Sequence, residues 1–280
     1  MTGVPVNSDG VTMDKNSKEI TLDRVEVQQY GMDLIDVAFI DEYKLENLMD
    51  NLEEAIYQDP EDARFAKNGI IIGEKLGVTL DRQEFRHLFR KLYYNENNEK
   101  LNVPQRVVYP EVDRGLLKQI STTELGRYVT TFKKSNIERS HNIDLASEAI
   151  NNTVIFPGET FSFNEVVGER TAERGYKKAP VIVKGELAED IGGGICQVSS
   201  TLYNAVDLNG IQIVERYAHS RQVPYVPPGR DATVSWWGPD FVFKNLYNEP
   251  ILIRAKSEAG QMIVKIYSSD TVEYFNGNAD

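Results

Sequence analysis

Asp190-Ile191-Gly192-Gly193-Gly194-Ile195-Cys196-Gln197-Val198-Ser199-Ser200-Thr201-Leu202-Tyr203-Asn204-Ala205 holds the only cysteine of the chain, directly after three glycines. Beyond the cysteine, Val198, Leu202, Ala205 and Val206 recur at helical spacing, and Asn209-Gly210 supplies a stop. The pattern predicts a tight glycine loop opening into a helix with Cys196 in its first turn. Unpaired N–H groups and the positive end of the helix dipole favour an anion there. A thiol so placed ionises more readily, and the thiolate is the nucleophile. Glycines permit positive φ and close approach of a substrate to the backbone. The plainer reading of a lone cysteine is a small buried hydrophobe.

Two stretches downstream weigh toward chemistry. His219 follows the apolar run Ile211, Ile213, Val214, and Asp231 stands at the mouth of the strand-like run Ala232-Thr233-Val234. A helix-borne cysteine, then a strand-borne histidine, then a strand-borne carboxylate can serve as nucleophile, base and orienter. In order and elements this resembles transglutaminase-like and papain-like thiol enzymes.

Working outward, residues 126–280 carry 19 acidic and 16 basic side chains, and residues 1–125 carry 24 and 15. This asymmetry predicts two units with different surfaces. A net charge of −12 argues against a nucleic-acid partner, which needs basic patches, and against docking on anionic lipid. One cysteine allows no internal disulfide, so cysteine usage leaves the compartment open. The most apolar early run, Leu34 to Ile40, is short and interrupted by Asp36, so no membrane span is expected. No signal peptide is visible at Met1-Thr2-Gly3-Val4-Pro5. The expected location is extracytoplasmic if a leader or anchor precedes these residues, cytoplasmic otherwise.

The fold expectation is α+β in two units. Residues 1–29 read as a loose start. Residues 30–120 read as a small α+β unit, with one helix from Asp41 to Tyr57 and another, capped by Thr79 or Asp81, burying Phe85, Leu88, Phe89 and Leu92. Asn68-Gly69 signals a hairpin, and His87 reads as a surface or boundary residue. In the second unit, residues 121–268, the helix of Cys196 packs on a mostly antiparallel sheet. Strands are predicted over 129–132, 211–215, 233–236, 241–243, 251–255 and 262–267, a helix over 142–150, and a hairpin turn at Lys184-Gly185. Residues 269–280 read as a frayed tail.

Residues 121–268 resemble the VanW domain. The matching words are Arg139-Ser140-His141-Asn142-Ile143, Pro157-Gly158-Glu159-Thr160-Phe161-Ser162-Phe163-Asn164, Gly192 to Ser199, Thr201 to Ala205, His219-Ser220, Tyr225 to Val234 and Phe243-Lys244-Asn245. Residues 30–118 resemble the peptidoglycan-binding region that often precedes this domain, through Asp62-Ala63-Arg64-Phe65 and Gly77-Val78-Thr79-Leu80-Asp81. The resemblance implies bacterial cell-wall work on peptidoglycan peptide stems, most specifically L,D-transpeptidation through a Cys196 thioester. Carried over, Cys196 is the nucleophile, His219 the general base and acid, and Asp231 the orienter. Gln197 and the backbone N–H groups of Gly193, Gly194 and Cys196 are expected to form the oxyanion hole. Ser199, Tyr203 and Arg230 are expected to contact substrate, with helix packing and surface charge as the alternative.

His141 is the rival base, although Asn142 and Asp144 beside it suit helix capping; His219 is preferred because it follows the cysteine helix. Cys196, His141 and His219 lack clustered ligand spacing, so neither a metal nor a cofactor is expected. Trp236-Trp237 could stack on sugar, against the alternative of strand core. The other function classes carried are a non-catalytic peptidoglycan-binding module and a cysteine amidase or endopeptidase of the wall.

Overall fold

The computed structural model describes residues 12–13, 20–32, 39–94, 100–183 and 186–274. The chain divides into two units, Met1–Ala63 with Ile71–Asp113, and Arg64–Ile70 with Arg114–Asp280. Both mix helices with antiparallel strands, an α+β architecture.

In the first unit β1 (Thr12–Met13), β2 (Ile20–Asp23) and β6 (Lys100–Asn102) form one sheet, and β5 (Gly77–Leu80) pairs with β7 (Gln105–Val108) in another. Pro104, which has no N–H to donate, stands between β6 and β7 and separates the two strands. Helices α1 (Arg24–Gln28), α2 (Glu42–Ile56) and α3 (Arg82–Tyr94) complete the unit. Asp41 caps α2 by accepting the Tyr43 and Lys44 N–H groups, and Asp81 accepts that of Glu84 in the first turn of α3. The core is Leu45, Leu48, Met49 and Leu52 of α2 against Phe85, Phe89 and Leu92 of α3. His87 is exposed, as its sequence context predicts. The start of the chain differs from expectation. Ile20, Leu22 and Val27 are buried in this core, and Asp23 with Glu26 builds a reciprocal capping box on α1, so residues 20–29 are an ordered part of the unit.

Strands β3 (Arg64–Phe65) and β4 (Ile71–Ile72) flank Gly69, whose φ of +81° suits the expected turn. Residues 64–70 belong with the second unit, which moves the expected boundary. Phe65 exchanges backbone hydrogen bonds with the Asn152 amide, and Arg254 lies 4.1 Å from the Phe65 ring centroid.

The second unit continues through α4 (Arg114–Gln119), β8 (Thr123–Thr131), α5 (Ile137–Ile150), β9 (Val154–Ile155), β10 (Thr160–Ser162) and α6 (Phe163–Val167). Then come β11 (Lys178–Val183), β12 (Glu186–Ile191), α7 (Ile195–Ala205), β13 (Ile211–Glu215), β14 (Val242–Asn245), β15 (Ile251–Glu258) and β16 (Gln261–Ser268). Its main sheet is antiparallel, in the order β8-β16-β15-β9. Met262, Val264 and Ile266 alternate inward from β16 and are fully buried. Helices α5 and α7 pack on this face, sharing a core with Phe161, Phe163, Phe241 and Phe243. A smaller sheet, β10-β14-β13, and the hairpin β11-β12 complete the unit; the turn expected at Lys184-Gly185 lies outside the described residues.

Three expectations are corrected here. The helix expected over 142–150 begins at Ile137, capped by the Asn136 side chain, because capping chemistry rather than apolar periodicity sets its start. The strand expected over 233–236 reduces to the single bridge Tyr217↔Thr233, and residues 236–237 form a turn. Within the expected tail, Ser269 is buried, and Asn248 and Glu273 exchange backbone and amide hydrogen bonds, so residues 269–274 are held to the unit.

Candidate active site

Helix α7 places the thiol. Gly194 is its N-cap at φ +110°, and Cys196 is the second helical residue. A Cβ on Gly194 would stand 2.7 Å from Arg139 Nη1, and one on Gly193 2.5 Å from the Ala179 carbonyl oxygen. Close packing against α5 and β11, together with positive φ, therefore explains the glycine run. Asn142 of α5, fully buried, ties the loop down by donating to the Gly193 and Lys177 carbonyls. The Ile195 and Gln197 N–H groups are committed to the Gly192 and Gly194 carbonyls. The Cys196 N–H makes no backbone hydrogen bond of this kind among the described residues and stays available as a donor.

His219 and Asp231 meet through strand register. The antiparallel bridge Tyr217↔Thr233, continued two residues outward, sets 219 opposite 231. Both residues lie just beyond the bridge in irregular backbone, which corrects the expectation that strands carry them. Asp231 Oδ2 accepts from both the backbone N–H and Nδ1 of His219, each at 2.6 Å. That bond puts the ring proton on Nδ1 and leaves Nε2 for the thiol. Both side chains are nearly enclosed, at 6% and 10% exposure. Cys196 Sγ lies 3.4 Å from the Val234 carbonyl oxygen and 3.8 Å from Thr233 Oγ1, and His219 stands near enough to lower the proton affinity of the thiol.

The electrostatics follow from this arrangement. Burial pushes the Cys196 thiol up, but the hydrogen bond and charge of His219 outweigh it and hold the thiol below its ordinary range. Burial pulls the His219 imidazole down, and its bonds to Cys196 and then Asp231 raise it above its ordinary value. Asp231 is likewise pushed up by burial and brought below its ordinary value by the His219 N–H groups. The three groups favour a thiolate facing an imidazolium.

The cleft above the thiol has a volume of about 1100 Å³. Arg139, Arg170, His219, Tyr225, Trp236 and Trp237 are among its lining residues. Tyr225 is kept neutral, first by burial and then by the nearby Cys196 charge. Trp237 is 89% exposed on its turn, so the strand-core reading does not hold for it.

Of the remaining sequence-derived side chains, Gln197 borders the cleft and the others lie elsewhere. Gln197 is buried; its amide N–H groups go to Thr130 Oγ1 and the Thr131 carbonyl, and its oxygen accepts from Arg139. It therefore has no hydrogen left for an oxyanion. Ser199 is fully buried and donates to the Ala232 carbonyl, fastening α7 to the Asp231 segment. Tyr203 packs edge-on to Phe241, with Arg216 and Arg230 over its ring. Arg230 also bonds Asn204 and Asp207. These three hold the fold and stand back from the cleft. His141 bonds the Gly175 carbonyl and is not brought to Cys196. Among the described residues, no three His, Cys, Asp or Glu side chains could hold a metal ion. No described helix is long and apolar enough to cross a membrane. Arg139 and Tyr225 stand in stretches that carry the resemblance but have no role there, while Arg170 carries no signal, because burial of a polar side chain leaves no period in a sequence.

Comparison with known proteins places this geometry in a family. Residues 138–267 match the family model described as VanW like protein, a span that includes Cys196, His219 and Asp231. The chain is 52% identical over 252 residues, 90% of its length and 83% of the relative's, to uncharacterized protein YoaR of Bacillus subtilis (strain 168). Over 78 residues, 28% of each chain, it is 35% identical to the Vancomycin B-type resistance protein VanW of Enterococcus faecalis (strain ATCC 700802 / V583). No solved structure matches it. With its family-model match and a relative aligned over nine-tenths of its length, the chain belongs to the VanW-like protein family.

Proposed function

We propose that this protein is a cysteine acyl-transferase of the bacterial cell wall, acting outside the cytoplasm as an L,D-transpeptidase on peptidoglycan stems. The observation that carries the reading is the Cys196 thiol at the start of α7, lined up in one cleft with a His219 ring whose Nδ1 is fixed by Asp231. Membership in the VanW-like family, and a relative named for vancomycin B-type resistance, support the wall as the place of action.

In this reading the Cys196 thiolate adds to the carbonyl carbon of the amide joining an L-centre to D-alanine. The Cys196 N–H faces the oxyanion that forms. The C–N bond then breaks, the leaving nitrogen takes the imidazolium proton of His219, and free D-alanine departs from a thioester. An amine of a second stem gives a proton to the neutral imidazole and attacks the thioester. The C–S bond breaks, a new amide forms, and thiolate and imidazolium are restored. Throughout, Asp231 holds the ring orientation and stabilises its charged form.

The test is incubation with a disaccharide-tetrapeptide followed by mass spectrometry. A thioester on Cys196 and a cross-linked dimer are expected. Cys196→Ser should keep the fold and lose both, since a hydroxyl is far harder to ionise. Hydrolysed tripeptide without dimer would instead assign an amidase, and retained binding without any adduct a binding module.

A further inference from the structure

The cleft wall carries two guanidinium groups that the chemistry above does not use. Arg139 comes from the first turn of α5, and Arg170 from the loop after α6. Burial is the largest influence on both and pulls each below the ordinary arginine range. Each is held by a neutral acceptor. Arg139 Nη2 donates to Gln197 Oε1 at 2.6 Å, and Arg170 Nη2 donates to Asn164 Oδ1 at 2.8 Å. Arg170 also lies over the Phe163 ring, 5.8 Å from its centroid. Its other terminal nitrogen, Nη1, is buried and has no acceptor among the described residues.

Neither guanidinium forms an ion pair among the described residues, although the chain carries 43 acidic side chains. Glu169 and Asp190 line the same cleft, but Asp190 is exposed and accepts the Ile191 N–H. Asp240, whose charge Arg170 feels, is already bonded to Ser162 Oγ and to the Asn164 and Phe241 N–H groups. A desolvated cation with an unfilled donor is unfavourable unless an anion comes to it. Both arginines also lie close enough to Cys196 to feel its charge.

We infer that Arg139 and Arg170 bind a carboxylate of the acyl donor, so that the cleft selects stems with a free carboxylate beside the scissile amide over stems in which it is amidated. The identity of the donor rests on the acyl-transfer reading; the preference for an anion at the thiol does not.

The experiment compares alkylation of Cys196 by iodoacetate, an anion, and by iodoacetamide, its neutral counterpart, at one pH. Both reagents need the thiolate, so the ratio of their rates cancels any change in thiol ionisation and reports recognition of the carboxylate alone. The ratio should fall about tenfold in Arg170→Gln, the scale of one charge-assisted hydrogen bond. Arg139→Gln should lower it in the same direction, and Arg170→Lys should restore most of it. An unchanged ratio in both glutamine variants would overturn the assignment. Should a variant fail to fold, acetate at constant ionic strength is added to the parent instead. It should slow iodoacetate more than iodoacetamide, and equal slowing overturns the proposal. A second arm offers free and amidated stems. If the ratios respond but no thioester forms with either stem, the carboxylate site stands and the transpeptidase reading falls. If thioesters form equally from both stems, the selectivity falls and the transpeptidase reading stands.

Discussion

The three arginines of α3 and the two of the cleft use the same side chain in opposite ways. On α2, Glu42, Glu46, Asp50 and Glu53 recur at helical spacing, and Arg82, Arg86 and Arg90 recur likewise on α3. Arg90 meets Glu42, Arg86 meets Glu46, and Arg82 meets Glu46, Asp50 and Glu53, as expected of antiparallel helices in register. Those charges stay partly in water and are matched on the spot. In the cleft of the second unit the charges are withdrawn from water. Among the described residues the only ion pair lining the cleft is the one between His219 and Asp231, and Arg139 and Arg170 are left with neutral acceptors. The first arrangement stabilises a helix pair. The second keeps unpaired charge beside a nucleophile, which serves recognition better than stability.

Removing the imidazole should break this contrast most. In His219→Ala the Cys196 thiol keeps its burial, which raises it, and loses the hydrogen bond and charge that lower it. The iodoacetamide rate of the parent should already be high well below pH 9.0, the ordinary thiol value, and that of the variant should rise only near or above it. Turnover should drop on the order of a hundredfold or more, the usual contribution of a general base. The stability sign follows from the partners. His219 is raised above 6.5, so its contribution is complete below 6.5 and fades as pH rises through its folded value. Asp231 is lowered below 3.8, so its contribution is complete above 3.8 and is lost as pH falls through its folded value. The gap in thermal stability between the parent and Asp231→Asn should therefore be widest between pH 3.8 and 6.5. A gap that widened above that window would show that the pair is not charged.

Charge removal in the first unit should do less. Arg82→Gln takes the shared cation from Glu46, Asp50 and Glu53 and leaves their charges facing one another. Thr79 and then Arg82 hold the Glu53 carboxyl below its ordinary value, but Arg82 and Glu53 are each about a third exposed, so solvent screens the pair. A loss of about 1 kcal/mol in urea unfolding is expected, shrinking in high salt. The alkylation rate of Cys196 should not change. A salt-independent loss, or a slower alkylation, would mean that the surface network acts beyond its helices.

Much of this was legible from the residues alone. The glycine run, the apolar spacing after Cys196 and the β-branched runs give the helix, its N-terminal thiol and the antiparallel sheet, because each is a local rule of backbone or period. The meeting of His219 with Asp231 depends on the register of one bridge, which a sequence suggests by order but does not measure. Ser199 and Tyr203 were misplaced because sharing a helix face with Cys196 is not the same as sharing its exposure. The 230–234 segment covers that face through Ser199, Ser200 and Asn204, so that only the tip of α7 opens to the cleft. Arg139 and Arg170 stayed hidden because nothing in a charged residue's neighbours in sequence announces that it is desolvated.

The smallest effect should come from the second histidine of the unit, and it sharpens the contrast by its smallness. On α5 the positions Arg139, Asn142, Ile143 and Ala146 share one face by helical spacing. That face carries the contact to Gln197, the hydrogen bond to the Gly193 carbonyl and the buried core of the unit. His141 is one residue out of this phase and bonds the Gly175 carbonyl at 2.9 Å instead. His141→Ala removes that single, partly solvated hydrogen bond and should cost about 0.5–1.5 kcal/mol at most. The pH profile of Cys196 alkylation should superimpose on the parent's, because Asn142 still ties down the glycine loop and Asp231 still orients His219. A profile shifted toward that of an ordinary thiol in His141→Ala, with His219→Ala left unshifted, would reassign the base to α5. It would also require α5 to rotate by about one residue, which carries the buried Asn142 off the glycine loop, so a large loss of stability would have to accompany the shift.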